Sequence, residues 1–107
     1  MTPGAAGPYR VVPMGTVMAE LRGMSDRAVD LGLDREFSAC LRSIQTRLAT
    51  DPLDWGEIRF HLRTLGLAVC HAGTSMLHVR YAVDETRRIT YIRDIQPWTS
   101  FEFLRDA

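Results

Sequence analysis

The 107-residue chain contains no lysine, so all 13 of its basic residues are arginines, and 13 acidic residues balance them. Its only two cysteines, Cys40 and Cys70, are too few for a disulfide framework, and their apolar positions predict buried free thiols. No apolar run approaches the roughly 18 residues that a membrane-spanning helix needs. With 46% hydrophobic and 24% charged residues, the composition is that of a globular domain, which excludes a disordered or membrane class.

The sequence also lacks a secretion signal at its start and a metal-binding motif. Residues 1–8 are rich in Gly, Ala and Pro and have neither the basic start nor the apolar core of a secretion signal. We therefore expect a flexible lead over residues 1–8 and a single domain over residues 9–107, in the cytoplasm and without membrane contact. No set of His, Cys and carboxylate residues has metal-ligand spacing, so we expect no metal and no cofactor.

Charge is distributed unevenly along the chain although the formal net charge is zero. Residues 1–58 hold six arginines and eight acids, a balance of −2. Residues 59–93 hold six arginines and two acids, a balance of +4, and also all three histidines. Residues 94–107 hold one arginine and three acids, a balance of −2. A locally basic face can bind an anionic partner even when the net charge is zero.

The first half of the chain predicts one strand followed by two amphipathic helices. Residues 9–14 form a short β-like run, and Pro13 indicates an edge position because proline cannot donate to a strand ladder. Apolar residues recur at helical spacing over residues 17–31 and again over residues 35–49. Because only a short link separates them, the helices should pair and cover one face of a sheet. The expected N-caps are Thr16 and Asp34.

Residues 67–95 predict an antiparallel meander, because runs rich in Val, Ile, Tyr and Thr alternate with polar turns. The turns are expected at residues 73–75 and 84–87. A tight turn at Thr74-Ser75 would pair Cys70 with Val79. Strand alternation then turns one apolar set toward the helices: Ala68, Cys70, Ala72, Leu77, Val79 and Tyr81.

The other face of the meander carries a polar cluster. The same turn would place His71 opposite His78, on the face that also carries Arg80. The register of the last strand stays open, since a slip of one residue decides whether Arg93 joins the cluster. Two imidazoles and a guanidinium can supply a base, an acid and a cation to a reaction. The alternative is a pair of half-exposed strand histidines with no chemical role.

The order β-α-α-β-β-β and several short sequences resemble a family of bacterial toxins. The sequences are His61-Leu62-Arg63, Leu77-His78-Val79-Arg80-Tyr81-Ala82-Val83-Asp84-Glu85 and Arg88-Ile89-Thr90-Tyr91-Ile92. Over residues 9–104 the chain resembles the RelE/ParE superfamily, the toxins of type II toxin–antitoxin pairs. The resemblance implies an α+β fold in which a helical hairpin packs on one face of a small antiparallel sheet.

For a RelE-type toxin, the resemblance implies cleavage of messenger RNA on the ribosome by basic residues of the open sheet face. The matching positions here are His71 and His78. After the last strand, where the family has Arg or His, this chain has Pro97-Trp98. A C-terminal catalytic tyrosine would fall near Phe103 or Leu104, and neither side chain can transfer a proton.

The candidate catalytic residues are therefore His71, His78 and Arg80, and the candidate binding residues are Arg63, Arg93 and Trp98. Three functions remain open: a RelE-like ribonuclease, a non-catalytic ParE-like toxin that binds a protein target, and a diverged interaction module. The resemblance implies an antitoxin-like partner, and RNA or the ribosome for the nuclease. A homodimer is expected if the aromatic tail, residues 98–104, finds no place on its own core.

Overall fold

The computed structural model describes residues 8–105, so the predicted lead lies outside the described residues except for its last residue. The strands are β1 Arg10–Pro13, β2 Glu57–Leu62, β3 Leu67–Gly73, β4 Leu77–Asp84 and β5 Ile89–Pro97. The helices are α1 Val17–Asp30, α2 Asp34–Thr50 and the single turn α3 Pro52–Trp55, with 3₁₀ segments at Arg63–Leu65 and Thr99–Leu104. The fold is α+β, as predicted. No helix within residues 8–105 is long and apolar enough to span a membrane.

The sheet of this part of the chain has five strands in the order β1-β5-β4-β3-β2. It is mixed, because β1 runs parallel to β5 while the other neighbours are antiparallel. The prediction of a purely antiparallel sheet was wrong at this edge. No turn links β1 to β5, so hairpin geometry does not set the direction of their pairing. The edge position of Pro13, at the end of β1, is confirmed.

The strand β2 was not predicted. Its residues 57–62 alternate strictly between polar and apolar side chains, which is a strand signal that the sequence analysis did not use. In the structure all six residues are exposed, and a bulge between Ile58 and Phe60 interrupts the two-residue period of the faces.

Both long helices lie close to their predicted positions. The buried residues of α1 are Val17, Met24 and Ala28, and those of α2 are Phe37, Cys40, Ile44 and Leu48. Leu31 was expected in the first stripe, but α1 ends before it and its side chain is exposed. Neither Thr16 nor Asp34 makes a capping hydrogen bond through its side chain, and Asp34 is already the first residue of α2.

The core lies between the helices and one face of the sheet. Tyr81 is fully buried there, stacks on Trp55 with ring centroids 5.8 Å apart, and donates a hydrogen bond of 2.5 Å to the Pro52 carbonyl. Burial raises the pKa of the Tyr81 hydroxyl, which therefore stays a neutral donor. Cys40 and Cys70 are buried and free, as predicted.

The aromatic tail packs on its own core, so the reason given for a homodimer was wrong. Leu104 is fully buried, and Phe101 packs against the core cluster. Arg27 of α1 donates a hydrogen bond of 2.7 Å from Nε to the Leu104 carbonyl. The 3₁₀ backbone of the tail turns Leu104 inward and leaves the neighbouring Phe103 exposed.

Candidate functional site

The hairpin of β3 and β4 determines which side chains meet on the open sheet face. His71 pairs with Arg80 and Gly73 with His78, a shift of two residues from the predicted register. The turn lies one residue further along, because Met76 is buried and the Thr74 amide donates to the Leu77 carbonyl at 2.8 Å. A shift of two residues keeps each side chain on its predicted face. The cluster therefore forms although the predicted pairing was wrong.

His71 and His78 are half-buried and contact each other directly. His71 Nε2 lies 3.3 Å from His78 Nδ1, and the rings meet edge to face with centroids 5.4 Å apart. Of these two nitrogens, one donates its N–H and the other accepts. The pair of rings as a whole can therefore take up one additional proton. Burial, followed by the neighbouring His71, lowers the pKa of His78. We refer to His71 and His78 as the histidine dyad.

The geometry of the dyad limits its chemistry. At 3.3 Å between nitrogens there is no room for a phosphate between the rings, so the two histidines cannot act from opposite sides of a scissile bond. The dyad is instead suited to accept one proton from a bound molecule and to release it afterwards. Because the pKa of His78 is lowered, the neutral, proton-accepting form is favoured at pH 7.

Trp98 borders the dyad on one side. Its indole ring lies 4.5 Å from the His78 ring, measured between centroids, and its Nε1 donates a hydrogen bond of 2.7 Å to the Thr74 carbonyl. A Cβ atom on Gly73 would lie 2.5 Å from Trp98 Cζ2, so only glycine at position 73 lets the indole approach the strand this closely. The structure thus brings this predicted binding residue to the dyad.

A bulge in β5 brings Asp94, which the sequence analysis did not identify, into the cluster. Tyr81 pairs with Ile92 but Arg80 pairs with Asp94, so Arg93 is the additional residue of the bulge. Arg80 Nη2 lies 3.4 Å from Asp94 Oδ2, and the other oxygen of Asp94 accepts a hydrogen bond from Gln96. Because the Arg80 side chain is 60% exposed, this ion pair is weak and can be exchanged for a phosphate contact.

A shallow apolar groove of about 370 Å³ continues the open face on the other side of Arg80. Val69 and Ala82 are buried in it, and the exposed Leu65 and Leu62 also line it. Arg93 lines this groove, so it lies on the open face next to the cluster rather than within it.

Arg63 does not belong to the site. It lies in the 3₁₀ segment between β2 and β3 and lines a hollow with Ala68 and Val83, whose side chains point to the helix-covered face. Sequence reasoning placed it near the sheet but could not assign it to a face, because the turn that contains it interrupts the strand period.

Comparisons with known proteins supply no further assignment. Neither a protein-family model, nor a curated protein, nor a solved structure matches the chain. Among residues 8–105, no three His, Cys, Asp or Glu side chains converge as they would around a metal ion.

The lowered pKa of His78 predicts a pH-dependent stability. Because the folded protein holds a proton on His78 less readily than the unfolded chain, stability falls as the pH drops below the ordinary value of 6.5 toward the folded pKa. Thermal unfolding at about pH 7.5 and pH 5 measures this loss. We expect a smaller loss of melting temperature for His78→Gln than for the wild type, and equal losses would contradict this assignment.

Proposed function

We propose that this protein is the toxin-like component of a toxin–antitoxin pair and acts on RNA through its open sheet face. The hydrogen-bonded histidine dyad carries the proposal, because it is a proton acceptor on the exposed face of the sheet. Arg80 and Trp98 flank it and can contact a phosphate and a base, respectively. The resemblance to the RelE/ParE superfamily implies RNA cleavage by the same sheet face, but this chain has Pro97-Trp98 and no C-terminal tyrosine at the family's other catalytic positions, so the dyad has to supply the chemistry.

In this reaction the dyad takes the proton of a ribose 2′-OH. The 2′-oxygen forms a bond to phosphorus, and the bond from phosphorus to the 5′-oxygen breaks. A water molecule on the opposite side gives a proton to the 5′-oxygen, and the hydroxide left behind takes the proton that the dyad releases. The products are a 2′,3′-cyclic phosphate and a 5′-hydroxyl, with no oxidation or reduction. Arg80 stabilises the charge of the pentacovalent phosphorus once it exchanges Asp94 for the phosphate.

Inducible expression in bacteria tests the toxin proposal. We expect the wild type to arrest growth, and His71→Gln or His78→Gln to relieve the arrest at equal levels of folded protein. His61→Gln is the matched control, because His61 is an exposed histidine of β2 outside the dyad, and it should still arrest growth. Unimpaired growth with the wild type, or full arrest with both dyad variants, would contradict the nuclease.

A second candidate function is binding of a protein without catalysis, as in a ParE-like toxin or an interaction module. It is favoured by the ion pairs of the open face, where Asp94 accompanies Arg80 and Glu57 accompanies Arg59, which weakens attraction for a polyanion. The apolar groove beside the cluster favours it as well. Growth arrest that survives both dyad substitutions but is lost in Leu65→Asp would support this candidate. An antitoxin-like partner would cover the same open face.

A further inference from the structure

The strand β2 is an edge strand that is open to pairing, although it carries a bulge and one exposed ion pair. It lies at the end of the sheet opposite β1, and all of its residues are exposed. Ile58, Phe60 and Leu62 are 43%, 50% and 37% exposed, and the strand contains neither lysine nor proline. A sheet edge of this kind offers a row of backbone donors and acceptors to another strand.

The apolar side chains of β2 lie on both faces of the sheet. Ile58 pairs with Cys70, whose side chain belongs to the core, so Ile58 lies on the helix side. Phe60 pairs with Val69, which lines the groove of the open face. A segment bound flat on the open face would cover Phe60 but not Ile58. Only a strand added to the edge covers both.

The bulge at Arg59 makes the pattern of faces in β2 symmetric. Glu57 lies on the open face opposite His71, and its ion pair with Arg59 places that guanidinium on the same side. Along residues 57–62, the first, third, fourth and sixth side chains therefore lie on the open face of the sheet. The second and fifth lie on the helix-covered face. This order reads identically in both directions, with its centre between Arg59 and Phe60. An antiparallel copy of the strand would match it residue by residue.

We infer that β2 pairs antiparallel with β2 of a second copy of this chain, around a two-fold axis between Arg59 and Phe60. The pairs would be Glu57 with Leu62, Ile58 with His61, and Arg59 with Phe60 of the second copy. Each guanidinium then lies against an aromatic ring, a favourable cation–π arrangement. No pair brings like charges together, and each Arg59 keeps its own Glu57 as counter-ion. The interface is isologous, as two-fold dimers require.

Sedimentation velocity of the full chain tests the dimer. We expect a species of twice the 12.1 kDa chain mass, and Phe60→Asp and Ile58→Asp should each raise the dimer dissociation constant by about tenfold or more. Leu65→Asp is the matched control: Leu65 is 61% exposed on the open side but lies outside β2, so the dimer should persist. Circular dichroism verifies that each variant is folded.

Three results would overturn the inference. One is a wild type that stays monomeric up to about 0.5 mM, a concentration at which even a small interface associates. Another is a dimer that Phe60→Asp dissociates but Ile58→Asp does not, which would place the contact on the open face. The third is a dimer that Leu65→Asp weakens as strongly as Phe60→Asp.

Discussion

Replacing Gly56 by alanine is expected to destabilise the protein by about 3 kcal/mol, the sum of overpacking and a disturbed buried hydrogen bond. A Cβ atom at this position would overlap the Tyr81 hydroxyl and lie 2.8 Å from the His71 carbonyl oxygen. Tyr81 cannot withdraw, because it is fully buried and bonded to the Pro52 carbonyl. The backbone at Gly56 is ordinary, with φ of −101°, so the effect is steric. Urea denaturation measures it.

A double-mutant cycle with Tyr81→Phe isolates this contact. Tyr81→Phe alone removes the hydrogen bond to Pro52 and should cost about 1–2 kcal/mol. The same change also removes the atom that the new Cβ would overlap, so the double variant should be more stable than the sum of the single effects predicts. Strict additivity, or a Gly56→Ala variant as stable as the wild type, would contradict the described packing.

Leu104→Ala is expected to cost about 2–4 kcal/mol, because truncating a fully buried leucine removes apolar contacts and leaves a cavity. The measurement is again the free energy of unfolding from urea denaturation. The loss would show that the tail is part of the core of its own chain.

Phe103→Ala is the matched control, since Phe103 is the preceding residue but is 49% exposed. Its ring contacts that of Phe101, with centroids 5.8 Å apart, so the change should cost about 1 kcal/mol or less, well below the loss for Leu104→Ala. Equal losses at both positions would mean that the tail is not fixed on the core as described.

The helices could be read from the sequence because their burial follows a helical period. Met24 and Ala28 of α1, and Ile44 and Leu48 of α2, are four residues apart and face the core. By contrast, β2 could have been predicted from the alternation of polar and apolar residues over residues 57–62, but its short length and its position between a helix and the meander favoured a link. The direction of β1 was hidden, since its partner β5 lies at the far end of the chain.

The site could be predicted in part. The approach of His71 to His78 depends only on which face each residue occupies, and that is insensitive to an even shift of register. The pairing of Arg80 with Asp94 depends on the bulge at Arg93, which adds a single residue and changes the face of everything beyond it. The position of Trp98 depends on a glycine opposite His78, a steric detail that no periodicity reveals.

The most direct test of the proposed chemistry is a translation reaction with purified ribosomes, a defined message and the purified protein. We predict that the wild type and His61→Gln cut the message and leave 2′,3′-cyclic phosphate ends. With His78→Gln, cutting should be at least about a hundredfold slower, which is the usual rate contribution of a general base. A message left intact by the wild type, or cut equally fast by the His78→Gln variant, would contradict the role of the dyad.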